Sequence, residues 1–191
     1  MVDLRTEEPA DKRVFIHTVG AEGNIAAVND EWVEFASENG APELGREAVV
    51  GRALWVFMEG RETRHISRLL LDKVSRSGKG LTIPYRCDSP ELRRFMEMEI
   101  VPVENGTVEF RSRILKFEYR DPVMLLDSQA ARTDEFLTIC SWCRRARIAS
   151  MWIELDEAVK KLDLFSSASL PQLTHGMCQD CSELVRKKTG P

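Results

Sequence analysis

No apolar run in the chain approaches the roughly 18 residues that a membrane-spanning helix needs, so no transmembrane segment is expected. The first residues, MVDLRTEEPADKR, are acidic and polar and carry no apolar stretch of the signal-peptide kind, which makes a cytoplasmic location the expectation. Positive charge is also in short supply. With 27 Lys and Arg against 31 Asp and Glu, the net charge is -4, so no global basic field favours phosphate-driven binding to nucleic acid. Gly-rich phosphate loops, a nucleophile elbow and paired catalytic carboxylates are all missing, and the chain is not expected to be an enzyme. Internal repeats and low-complexity tracts are missing too.

What is present describes an ordinary folded chain. Its 191 residues, 43% hydrophobic and 30% charged, can build one domain with a small appendage or two small domains. VFIHTV (14–19) and NIAAVN (24–29) are short β-prone runs separated by the turn signal GAEG. Asn29 or Asp30 can cap a helix in which Trp32, Phe35 and Ala36 share a face, and Gly40 can end it in a left-handed conformation. RETRHISRLLLDKVSRSG predicts a second helix with Ile66, Leu69, Leu70 and Val74 on one stripe, ending at Gly78.

Three strands should follow. LTIPYRC alternates Leu81, Ile83, Tyr85 and Cys87 with polar residues, and Pro84 marks an edge or a bulge because it cannot donate to a ladder. FMEMEIV alternates Met96, Met98 and Ile100 with Glu97 and Glu99. Asn105-Gly106 predicts a hairpin into TVEFRSRILKFEYR, whose apolar phase shifts between Phe110 and Leu115, the sign of a bulge or strong twist. Two strands, helices and then three antiparallel strands make an α+β arrangement: a five-stranded antiparallel sheet with helices on one face.

GNIAAVNDEWVEFASENG, then VVGRALWVFM, the long helix and a strand run ending RSRILKFE resemble the PAS family of sensor domains. The likeness covers roughly residues 12–119, with 120–137 as a connector and 138–188 as a tail. It implies a PAS-like sheet and a sensory role. It also implies a ligand space between the sheet and the long helix, for which His65, Tyr85, Cys87, Met96 and Met98 are the candidates. In some PAS domains a histidine on this helix ligates haem; a hydrogen-bonded His65 and a packed core are the plainer expectations here, since nothing advertises a cavity for a porphyrin. Arg86, Arg93 and Arg94, around Asp88-Ser89-Pro90, could hold an anion or a partner carboxylate, or form a charged hairpin.

Four of the five cysteines fall into two Cys-x-x-Cys pairs, Cys140/Cys143 and Cys178/Cys181, with 34 residues between the pairs. In a reducing compartment such pairs read as metal ligands or redox groups before disulfides. Two intervening residues let one tight turn aim both sulfurs at a single ion, and two such pairs complete the tetrahedral set of a structural zinc. Iron–sulfur ligation and a dithiol switch are the alternatives. Haem attachment of the c type is excluded because neither pair is followed by His. His175 could replace a cysteine or support a sulfur from outside the ligand set. MWIELDEAVKKLDLF and SELVRKK are predicted to be helical, the second pointing its first N–H groups at the thiolates. A four-thiolate zinc carries a formal charge of about -2, which Arg144, Arg145, Arg147, Arg186, Lys187 and Lys188 could offset.

ICSWCRR, a Trp and THGMCQDC also resemble a tail found after PAS or receiver domains in bacterial signalling proteins. No kinase, cyclase or receiver module accompanies it. The function expected is therefore a PAS-like sensory or regulatory protein with a structural zinc, acting on a signalling partner such as a histidine kinase or another output protein, or on a second copy of itself. A redox or metal sensor and a zinc-dependent nucleic-acid-binding regulator are the alternatives.

Overall fold

The computed structural model describes residues 11–164 and 169–190; the acidic start of the chain and Phe165 lie outside the described residues. Along the first half run β1 (Val14–Val19), β2 (Ile25–Val28), α1 (Asp30–Glu38), α2 (Arg46–Val49), α3 (Arg61–Ser77), β3 (Leu81–Arg86), β4 (Leu92–Pro102) and β5 (Val108–Tyr119). The strands form one antiparallel sheet in the order β2-β1-β5-β4-β3. β3 is an edge strand, which is why it tolerates Pro84.

Local chemistry explains these elements. Asn29 caps α1: its Oδ1 accepts from the N–H of Trp32 at 3.0 Å and from the N–H of Ile16 at 2.9 Å, so one side chain starts the helix and ties it to β1. Asn105 and Gly106, both at positive φ, carry the tight turn between β4 and β5. The expected irregularity in β5 falls at Leu115, where the pairs Phe95–Lys116 and Met96–Ile114 leave one residue unpaired, a bulge.

Helix α3 is rotated from its expected phase. Ser67, Leu70, Leu71 and Val74 are its buried residues, while Leu69 is 45% exposed. Three consecutive leucines hid the phase, because two adjacent stripes both look apolar. His65 lies on the same side as Leu69 and is exposed, so it does not face the sheet.

The second half forms β6 (Arg132–Cys140), β7 (Ala146–Ile148), β8 (Met151–Ile153), α4 (Leu155–Lys161), β9 (Leu170–Gly176) and α5 (Gln179–Thr189). β6 begins inside the stretch expected to be a connector. A mixed sheet in the order β8-β7-β6-β9, with β9 parallel to β6, is the element the sequence did not announce. Leu137, Ile139, Leu155, Ala158, Val159 and Leu170 bury its own small core under α4. The larger core runs through both halves: Leu70, Leu71 and Val74 of α3 share it with Ile83, Ile100, Cys140, Trp142, Cys178 and Val185. Among the described residues no helix is long and apolar enough to cross a membrane.

Candidate metal centre

Parallel pairing of β6 with β9 brings the two cysteine pairs together. Cys140 ends β6 directly beside Gly176 at the end of β9, so both strands deliver the chain to the same place. After Cys140 the chain turns tightly: the N–H of Arg144 donates to the Cys140 carbonyl at 3.0 Å, with Arg144 at φ 62. After β9, Cys178 occupies the N-cap position of α5 and Cys181 falls in the first turn. The result is four sulfurs all within 4.8 Å of one another. Cys140, Cys178 and Cys181 are buried, Cys143 is half-buried, and none is in a disulfide.

The electrostatics suit a cation. Cys178 donates its main-chain N–H to Cys140 Sγ at 3.4 Å, and Cys143 Sγ lies 3.7 Å from Cys178 Sγ. Hydrogen bonds from Cys143 and Cys181, aided by main-chain N–H groups, hold the Cys140 thiol far below its ordinary range. Donation to Cys140 pushes Cys143 up to about 12 and raises Cys181 as well. With protons alone, the neighbours favour the thiolate at Cys140 and disfavour it at Cys143 and Cys181. A bound cation would replace those protons and let the other thiolates form. A tetrahedral zinc with bonds of about 2.3 Å sets its sulfurs about 3.8 Å apart, so the observed cluster needs to contract by only about 1 Å to close on one ion.

The surrounding charges are more divided than the sequence suggested. Arg145 pairs with Asp180 at 2.9 Å, beside the thiols, and the α5 N-terminus points its free N–H groups the same way. Arg186, Lys187 and Lys188 occupy the opposite end of α5, where they complement the helix C-terminus instead of the cysteines. His175 is engaged elsewhere: its Nδ1 lies 2.8 Å from Glu59 Oε2, an ion pair when the ring is protonated. Burial pushes its imidazole down, against the pull of Glu59.

Four of the five residues proposed to line a ligand space lie in apolar clusters. Tyr85, Cys87 and Met96 pack with Phe15, Phe35 and Ile114 in one apolar cluster, and Met98 packs against the larger core. His65 joins neither. A groove of about 210 Å³ borders the Met96 cluster, beside Phe35, Ile114 and Tyr119, and one of about 330 Å³ lies beside Pro90, Pro122 and Met124. The arginines near Asp88 are also answered within the chain. The Asp88 side chain is covered between Arg86 and Arg120, Arg120 reaches Asp156 at 3.1 Å, Arg86 reaches Glu154 at 2.7 Å, and Arg93 pairs with Asp156. Arg94 instead donates to the Cys87 carbonyl.

Sequence spacing missed three residues that hold the cysteine turns in place. Thr63 donates to Ser141 across 78 positions, Glu59 meets His175, and Gly60 packs on His175. Contacts so distant in sequence leave no local pattern.

No family model matches the chain, and no curated protein matches it either. Among solved structures it is similar to a domain of HTR-like protein from Haloarcula marismortui ATCC 43049, at 18% identity over 53% of this chain and 97% of that one, TM-score 0.39. It is also similar to the Cronobacter turicensis RpfR quorum-sensing receptor PAS domain in complex with C12:0, at 14% identity over 56% and 97%, TM-score 0.44. A third is a sensory box sensor histidine kinase from Vibrio cholerae, at 11% identity over 54% and 82%, TM-score 0.41. The class rests on the chain's own architecture: an α+β sheet with helices on one face, followed by a four-cysteine cluster.

Proposed function

We propose that this chain is a non-enzymatic regulatory metalloprotein, a PAS-like sensory half joined to a zinc centre and acting through contacts with a signalling protein. One observation carries the metal reading: two segments 34 residues apart bring four thiols within 4.8 Å of one another, three of them buried. All-sulfur ligation favours zinc over hard cations such as calcium and magnesium. An iron–sulfur cluster would spread its cysteines around more than one iron, whereas these sulfurs crowd around a single point. Four thiolates fill a tetrahedral ion, leaving no position for water, so the centre holds structure instead of doing chemistry. The sensory reading is supported by the PAS resemblance of residues 12–119 and by the sheet with its helices on one face.

Cys143 and Cys178 favour a second reading, a dithiol switch, because their 3.7 Å contact joins the two pairs. Elemental analysis of reduced protein, purified without added metal, separates the two. The expected result is about one zinc per chain, as a single four-thiolate site requires. Iron with a brown colour would replace zinc by a cluster. No metal, together with disulfide formation under mild oxidant, would favour the switch.

A further inference from the structure

Each turn that carries a cysteine pair is fastened to the sheet half by residues lying beside the ligands. Ser141 and Trp142 stand between Cys140 and Cys143. The Trp142 carbonyl accepts from the main-chain N–H of Arg86, the last residue of β3, at 2.8 Å. The cysteine turn therefore extends the edge of the five-stranded sheet by one hydrogen bond. The Thr63 hydroxyl, in the first turn of α3, donates to Ser141 Oγ at 2.7 Å. On the other turn, three residues before Cys178, His175 meets Glu59 at 2.8 Å. Gly60 passes so close that a Cβ there would stand 2.9 Å from the His175 carbonyl oxygen.

These contacts meet the sheet half at two boundaries, the end of an edge strand and the start of a helix. β3 is an edge strand, and at its last residue the Trp142 carbonyl takes the place that a further strand would fill. α3 begins at Gly60 with no side-chain cap. The start of a 17-residue helix is thus held through Glu59, Gly60 and Thr63, all of which lean on the cysteine turns.

We infer that the four-cysteine centre controls the order of the β3 edge at Arg86 and of the start of α3, so that losing its ion is felt in the PAS-like half. This rests on the metal reading of the centre. An ion cross-links the two turns and fixes Ser141, Trp142 and His175. Without it the turns keep the Arg145–Asp180 pair, the Ser141 N–H bond to the Gly176 carbonyl and the contacts among the thiols, but lose the cross-link through all four sulfurs, and the three fastenings loosen together. Arg86 carries the effect further, since its side chain also holds Asp88 and Glu154.

Hydrogen exchange on the full chain tests this, comparing zinc-loaded protein with protein stripped by chelator in the presence of reductant. Amides in 58–66 and at Arg86 should exchange at least about tenfold faster after stripping, while Phe15–Val19 in the sheet interior keep their protection. Acceleration confined to 139–146 and 175–183 would overturn the coupling and leave the metal site standing. Uniform loss of protection would also overturn it, because the ion would then hold the whole fold and not a relay. A chain that takes up no zinc would overturn the metal reading and the coupling with it.

Binding must show the same link in reverse. Gly60→Ala touches no cysteine, yet it should weaken zinc retention about tenfold in competition with a chromogenic chelator. Gly51→Ala is the control, since it places a side chain at a similar positive φ with nothing within 4 Å. Equal zinc affinity in the two variants would overturn the coupling.

Discussion

Arg120 holds the buried carboxylate of Asp88, its Nη1 3.4 Å from Oδ2, with Arg86 on the other side. The Asp88 side chain is 0% exposed and that of Arg120 only 6%, so the buried carboxylate depends on Arg86 and Arg120 for compensation. Such a pair adds little net stability over an apolar core, but breaking it is expensive. Asp88→Asn would leave two buried guanidinium groups short of a carboxylate, at an expected cost of about 3–5 kcal/mol. Denaturant unfolding measures it. A change comparable to that of the exposed control Glu91→Gln would mean that water or a rearranged Glu154 takes over the pairing.

The shared core makes a prediction about truncation. A chain ending at Tyr119 loses Trp142, Cys140 and Val185 from around Leu70 and Val74, and loses Asp156 and Glu154 from the arginine cluster. It is expected to unfold without a sharp transition, or at a clearly lower temperature than the full chain. Calorimetry of the two proteins decides. A cooperative transition at the full-length temperature would show that residues 12–119 stand alone.

Features with a local cause were readable from the sequence: the Asn29 cap, the Asn105-Gly106 turn, the edge strand marked by Pro84, and the cysteine pairs from their spacing. Features decided by distant partners were not. The phase of α3 was hidden by Leu69, Leu70 and Leu71 in a row, and the error carried His65 to the wrong side. β7 and β8 are three residues each, too short to show a period, and Pro171 disguises β9. The arginines around Asp88 were visible as a cluster, but Glu154 and Asp156, which meet Arg86 and Arg93, come from the start of α4, more than 60 residues away.

Serine substitution should separate the four clustered cysteines from the fifth. Cys140→Ser, Cys143→Ser, Cys178→Ser and Cys181→Ser each remove one donor of the set, and each should bring zinc well below one per chain and lower the unfolding temperature. Cys87 packs with Tyr85 and Met96, apart from the cluster, so Cys87→Ser should leave zinc content unchanged. Elemental analysis of the five variants is the measurement. Full zinc in any of the first four would show that its cysteine is not a ligand.

Acid should expose the state of His17, which lies against Phe110 with ring centroids 4.7 Å apart and planes 6° from parallel. The residue keeps some contact with solvent, yet protein atoms pack closely around the ring, and burial pushes its imidazole down to about 4. The unfolded chain titrates near 6.5, so between those values the unfolded state holds the extra proton. Stability from a neutral His17 is therefore complete above about pH 6.5 and is lost as pH falls toward about 4, on the order of 2 kcal/mol by about pH 4.5. His17→Phe keeps a flat ring against Phe110 and has nothing to titrate. Unfolding free energies of the two proteins, measured from neutral to about pH 4.5, should converge or cross as the medium becomes acidic, the parent falling more steeply. Parallel curves would place the His17 imidazole in solvent and remove it as a source of acid sensitivity.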